Sequence, residues 1–218
     1  MGELQLVIFD CDGVLVDSER LSNAVLAEML SAEGLPTTLE QSRSAYQGLL
    51  LDDIGLSAQA RLGRRLPDGW LAGYERAREE AFRRALKPVR GAREAVRRIA
   101  AAGVPVCVAS QGKLEKTQLS LELTGLGDLF AEGAVFSAYM VARGKPHPDL
   151  FLHAAAAMGA EPADCAVVED TPSGVMAAVA AGMRVLGYSA DSDESALREA
   201  GAELVAAMAD VPGLLGIA

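Results

Sequence analysis

Short apolar runs recur along the chain, and most alternate with stretches of helical spacing. The first is Leu4-Gln5-Leu6-Val7-Ile8-Phe9. Later ones fall at 104–109 (Val-Pro-Val-Cys-Val-Ala), near Val135-Phe136, at 165–168 (Cys-Ala-Val-Val) and, more briefly, at 184–187 (Arg-Val-Leu-Gly). A helical pattern from Ala92 to Ala102 precedes the second run and stops at Gly103. Another, from Ser173 to Ala181, separates the last two runs; Gly182 is its stop, and Thr171 or Ser173 its cap. This alternation predicts an α/β fold, with right-handed crossovers and a parallel sheet covered on both faces.

Residues 17–87 break the pattern. Amphipathic stretches at 21–33, 39–46, 52–63 and 69–86 follow one another without a convincing strand, the last rich in Arg and Glu at helical spacing. The expected organisation is a Rossmann-like core, 1–16 with 88–218, and a helical cap domain, 17–87, inserted after the first strand. Four helices simply packed on the sheet would be the plainer arrangement, but their uninterrupted run favours a separate cap. The Ala-rich segments Ala154–Ala157 and Ala177–Ala181 read as helix formers that permit close packing.

Composition narrows the function. The chain has 218 residues, 50% of them hydrophobic, enough for a substantial core. A net charge of −10 without any Lys/Arg run excludes a polyanion partner such as nucleic acid, while small anions can still bind locally. Cys11, Cys107 and Cys165 share no C-x-x-C spacing and sit in or beside apolar runs, as buried thiols of a reducing cytosol do. No basic n-region with a following apolar stretch opens the chain, and no 18-residue apolar segment follows, so a soluble cytoplasmic protein is expected, with no membrane partner. A monomer suffices for this pattern.

Candidate chemistry gathers where the strands end. Asp10 and Asp12 close the first apolar run and share a face if the strand continues, with Cys11 pointing away. Paired carboxylates repel, and Mg²⁺ is the usual remedy. Taken alone, the Asp-Cys-Asp-Gly segment is also an ordinary Asx-rich turn. After the second strand, Ser110-Gln111-Gly112-Lys113 leads into a helix, offering a hydroxyl and backbone N–H groups to phosphate oxygens, or simply an N-cap. After the third comes Gly144-Lys145-Pro146-His147-Pro148-Asp149, where two prolines stiffen the approach of Lys145. The fourth ends in Glu169-Asp170, which could equally be an acidic helix start. Four such signals after successive strands of one sheet converge on one crevice.

In this ordered set the chain resembles the haloacid dehalogenase superfamily, in its magnesium-dependent phosphatase branch with a helical cap. The carrying residues are Asp10-Cys11-Asp12-Gly13-Val14-Leu15-Val16-Asp17-Ser18-Glu19, Ser110, Gly144-Lys145-Pro146 with Pro148-Asp149, and Glu169-Asp170 with Gly174 and Ala180-Ala181-Gly182-Met183. Within it, the β-phosphoglucomutase and sugar-phosphate phosphatase group, including 6-phosphogluconate phosphatase-like members, is the most similar. The resemblance implies hydrolysis of a small phosphorylated metabolite through an aspartyl phosphate on Asp10, with Asp12 as acid and base. It implies Mg²⁺ on Asp10, the backbone carbonyl of Asp12, and Asp170, with Glu169 direct or behind them. Lys145 and Ser110, with the backbone N–H of Gln111, would orient the phosphoryl oxygens.

Two departures bear on the reaction. Mutases of the group carry a histidine where this chain has Ser22, and an arginine soon after the cap glycine; here Gly48 is followed by Leu49-Leu50-Leu51. Hydrolysis is therefore expected over a hexose-phosphate mutase reaction, with Ser22 and Gly48 as substrate-binding candidates. Dehalogenation would leave Asp12 and Glu169-Asp170 unexplained. A phospho-accepting signalling module would have no use for the helical insert. The Gln at 111, where Asn or Ala is usual in the group, has no assigned contact.

Overall fold

In the computed structural model, residues 4–217 are described. The chain divides into two compact units, one running to Val16 and resuming at Pro88, the other Asp17–Lys87. Among the described residues the first unit holds one six-stranded sheet, in the order β3-β2-β1-β4-β5-β6. The strands are β1 (Leu6–Phe9), β2 (Val106–Ser110), β3 (Val135–Ser137), β4 (Cys165–Glu169), β5 (Arg184–Tyr188) and β6 (Glu203–Val205). Every pairing is parallel. β1, β2 and β4 are buried along their whole length, which is why they read as unbroken apolar runs rather than alternating ones.

The strand order reverses at β1, which lies between β2 and β4. Crevices for ligands open at such a switch point, beyond the carboxyl ends of the strands. Register fixes what meets there: Phe9 stands beside Val108 on one side and Val168 on the other. The next residues, Asp10, Ala109 and Glu169, therefore come side by side. β2 differs slightly from its expected span. Val104 and Pro105 precede the strand, with the Pro105 carbonyl accepting from the Val7 N–H at 3.0 Å, and the strand itself runs on to include Ser110.

The Asp17–Lys87 unit consists of α1 (Glu19–Ala32), α2 (Leu39–Tyr46), α3 (Leu51–Leu62) and α4 (Trp70–Ala85). α2 begins with a capping box, in which Thr38 and Gln41 each satisfy the other's backbone N–H. The helices bury Leu26, Leu30, Tyr46, Ile54, Trp70 and Tyr74 in a core of their own. The sheet is covered by α5 (Ala92–Ala101), α6 (Leu114–Leu123), α7 (Asp149–Met158) and α8 (Pro172–Ala180), with α9 (Glu194–Ala200) and α10 (Val211–Leu214) toward the C-terminus. Thr171 caps α8: its side chain accepts from the Gly174 N–H at 3.1 Å. The three cysteines are buried and form no disulfide. Among the described residues no helix is long and apolar enough to cross a membrane.

Candidate active site

β1 ends at Phe9, but the Asp10 N–H still donates to the Val168 carbonyl at 2.9 Å, so Asp10 remains in register with β4. Its carboxylate meets Lys145, which arrives from the loop after β3. The ammonium donates to Asp10 Oδ1 at 2.5 Å, Glu169 Oε1 at 2.7 Å and the Ala109 carbonyl at 3.1 Å, which occupies all three of its hydrogens. The residue that follows β1 and residues of β2 and β4 are thus gathered by one lysine whose side chain is 3% exposed. Burial pushes the Asp10 carboxyl up to about 7, against the pull of Lys145, while Glu169 and Asp12 add repulsion in the same upward direction. For Lys145 burial disfavours the charged form, but Asp10 and Glu169 outweigh it and hold the ammonium above the ordinary lysine range.

Both partners of Lys145 are themselves held. Glu169 Oε2 accepts from the Thr171 N–H at 2.8 Å and the Thr171 hydroxyl at 2.9 Å. Gly174 lies directly beneath: a Cβ there would stand 1.8 Å from Glu169 Oε1. Gln111 supplies the contact that its sequence position left open. Its side-chain oxygen accepts from the Lys145 N–H at 3.0 Å and its amide nitrogen donates to the Lys145 carbonyl at 3.4 Å, clamping the lysine's main chain. Gly144 leaves room for this clamp, since a Cβ would come within 2.8 Å of the Gln111 amide.

Strand geometry does not persist from Asp10 to Asp12. The chain turns, with the Gly13 N–H donating to the Val16 carbonyl and the Leu15 and Val16 N–H groups to the Cys11 carbonyl. Cys11 is fully buried, and Asp12 faces Ser110 and α6. Asp12 Oδ2 lies 3.5 Å from Ser110 Oγ, and the Gly112 N–H donates to the same hydroxyl at 3.1 Å. Asp12 Oδ1 pairs with Lys116 on the first turn of α6. Sequence reasoning missed Lys116. Its one local signal is a cation at a helix N-terminus, where the dipole disfavours it.

The oxygen donors here suit a divalent cation. Asp170 is buried at the end of β4, and its carboxylate packs on Gly13, where a Cβ would lie 2.2 Å from Asp170 Oδ2. At φ +78°, Gly13 adopts a backbone that other residues rarely do, and it lets Asp170 reach the Asp10–Asp12 turn. Four carboxylates face two lysines, leaving excess negative charge. Among the described residues no three Asp, Glu, His or Cys side chains form a ready cage. Two carboxylates and one main-chain carbonyl, with water and substrate completing the shell, suit Mg²⁺, which keeps much of its hydration. Ser22, on α1, and Gly48, after α2, belong to the Asp17–Lys87 unit; Ser22 offers its carbonyl to the Tyr74 hydroxyl at 3.4 Å.

A parallel α/β sheet whose switch point gathers buried carboxylates around a lysine is suited to group transfer. Comparison with known proteins says which kind. A profile of the haloacid dehalogenase-like hydrolases matches residues 4–182. The 6-phosphogluconate phosphatase of Escherichia coli is 31% identical over 88% of this chain and 85% of its own. Among solved structures, a haloacid dehalogenase-like protein of Agrobacterium tumefaciens is 33% identical with a TM-score of 0.83, covering 99% of this chain and 98% of its own. A haloacid dehalogenase family hydrolase of Deinococcus radiodurans, solved with bound phosphate and sodium, is 30% identical with a TM-score of 0.80, covering 100% of this chain and 98% of its own. The chain belongs to the haloacid dehalogenase-like hydrolase family, and it is a phosphoric monoester hydrolase.

Proposed function

We propose that the protein is a Mg²⁺-dependent phosphatase of a small, sugar-derived phosphomonoester, acting through an aspartyl phosphate on Asp10. The observation that carries this reading is the buried Lys145 bridging Asp10 and Glu169 at the ends of adjacent strands, with Asp12 and Ser110 alongside. Similarity to a 6-phosphogluconate phosphatase and to a phosphate-bound hydrolase supports it.

In the first step an Asp10 oxygen attacks phosphorus, the bond to the substrate alcohol breaks, and Asp12 gives that alcohol a proton. In the second, water attacks the phosphoryl group, Asp12 takes back a proton, and the Asp10–phosphorus bond breaks to release inorganic phosphate. The sum is ester plus water to alcohol plus phosphate. Lys145 fixes one Asp10 oxygen and brings positive charge to the phosphoryl group, and the Ser110 hydroxyl and Gln111 N–H orient its oxygens. Asp10, the Asp12 carbonyl and Asp170 would hold Mg²⁺, with Glu169 behind them; when bound, the ion neutralises charge on the transferring phosphoryl group.

The helical unit serves as the cap that selects the substrate, through the neighbourhoods of Ser22 and Gly48. With serine at 22 and leucines after Gly48, it offers no cation at these two places for a second phosphate, which favours hydrolysis over phosphate migration. The test is phosphate release across a panel of phosphorylated sugars and sugar acids, with Mg²⁺ and with chelator. Release that requires Mg²⁺ is expected, and β-glucose 1-phosphate given with trace bisphosphate should not become glucose 6-phosphate. Release unchanged by chelator, or efficient isomerisation, overturns the reading.

A further inference from the structure

Lys116 is a charged group near the site for which that mechanism has no task. It lies on the first turn of α6, where the helix dipole favours acids over cations. Its side chain is only 11% exposed, although it ends in a charge. Burying an ion pair costs about as much as the pair returns, and well-packed apolar residues often do as well, so stability is a weak reason for Lys116. Room is nevertheless made for it. Gly112 lies under its stem, where a Cβ would stand 3.2 Å from Lys116 Cδ and 3.4 Å from Ser110 Oγ. A residue that opposes its local setting and is accommodated by its tertiary one marks a functional constraint.

We propose that Lys116 is a positioning residue for the acid–base aspartate: it takes Oδ1 of Asp12 and so turns Oδ2 toward Ser110, where the phosphoryl group is handled. This rests on the phosphatase reading above. Two side chains thus fix one carboxylate between them. The pair to Lys116 holds one oxygen, and the other is aimed past the Ser110 hydroxyl, 3.5 Å away. Without Lys116, Asp12 can rotate about χ1 and χ2, and its proton no longer arrives where the departing alcohol needs it.

Leaving-group chemistry separates this role from a structural one. Sugar alcohols need a proton to depart, whereas nitrophenolate leaves without one. Lys116→Met keeps the stem and removes the charge. It should lower kcat/KM for the best alkyl phosphate of a panel (glucose 6-phosphate, ribose 5-phosphate, 6-phosphogluconate) by about 10²-fold, the cost of a misplaced catalytic group. For p-nitrophenyl phosphate kcat/KM should change less than about threefold, because general acid catalysis contributes little to so good a leaving group. The ratio of the two esters in one preparation does not depend on how much enzyme is folded. Inhibition by inorganic phosphate should be unchanged, and Lys116→Arg should recover most of the alkyl-ester rate.

Equal losses on both esters, no loss on either, or weakened phosphate inhibition, which would make Lys116 a phosphoryl ligand, each overturns the proposal. Wild-type enzyme that cleaves neither class of ester overturns the phosphatase reading instead.

Discussion

Replacing Gly174 by alanine tests the carboxylate end of the site with a single methyl group. Gly174 lies within α8 without a left-handed backbone, so conformation alone favours alanine by about 1 kcal/mol. Space forbids it: the new Cβ would be 1.8 Å from Glu169 Oε1 and 2.0 Å from its carboxyl carbon. The carboxylate must leave, and with it go the bonds to Lys145 at 2.7 Å and to the Thr171 N–H at 2.8 Å. Removing one partner of a buried ion pair costs about 3–5 kcal/mol. Lys145 keeps Asp10 and the Ala109 carbonyl, which places the loss at the lower end. Adding about 1 kcal/mol for the Thr171 bond and subtracting the helix preference leaves a destabilisation of about 3 kcal/mol. For a chain of this size that is a fall in Tm of about 6–12 °C, read by circular dichroism, together with loss of phosphate release. Gly213→Ala is the control, because α10 leaves nothing within 4 Å of the new methyl. A Gly174→Ala protein melting within about 2 °C of wild type, with normal turnover, would refute the packing argument.

Three further outcomes follow from the geometry. Gln111→Ala removes both bonds to the Lys145 main chain and should lower phosphate release about tenfold, the worth of one to two hydrogen bonds; Gly144→Ala, which crowds the same amide, should act in the same direction. Asp170→Asn should raise the Mg²⁺ concentration needed for half-maximal rate, while Asp12→Asn, which keeps its main-chain carbonyl, should leave that concentration near the wild-type value and lower the rate itself. Burial, helped by Asp164 and Glu161, holds the Cys165 thiol at about 11, and burial pushes Cys107 and Cys11 up as well. All three are therefore protonated and inaccessible at pH 8, so a thiol reagent should find none in native protein and three after denaturation.

The parallel core was legible because its central strands are buried on both faces and read as bare apolar runs. That Asp10, Ser110, Lys145 and Glu169-Asp170 gather was legible for a related reason: each lies at or beyond the carboxyl end of a strand, and strand ends in such a sheet converge. β6, Glu203–Val205, was not read, since a three-residue edge strand beginning with an exposed glutamate carries no usable period. Lys116 was missed because its partner lies 104 residues away and a lysine in an amphipathic helix reads as a solvated face. Gln111 stood out as unusual, but its contact depends on the loop around Lys145 folding back onto it. Either Thr171 or Ser173 could have capped α8; Thr171 does, holding Gly174 and Glu169 together.

Covalent phosphorylation of Asp10 is the step on which the proposed mechanism turns. Asp12→Asn enzyme, slowed in the step that consumes the intermediate, is mixed with p-nitrophenyl phosphate and Mg²⁺, quenched in acid, digested and analysed by mass spectrometry. A hydroxylamine-labile phosphoryl group is expected on the peptide carrying Asp10, and none when Asp10→Asn is added. Active enzyme that carries no phosphoryl group there, with turnover surviving Asp10→Asn, would contradict it.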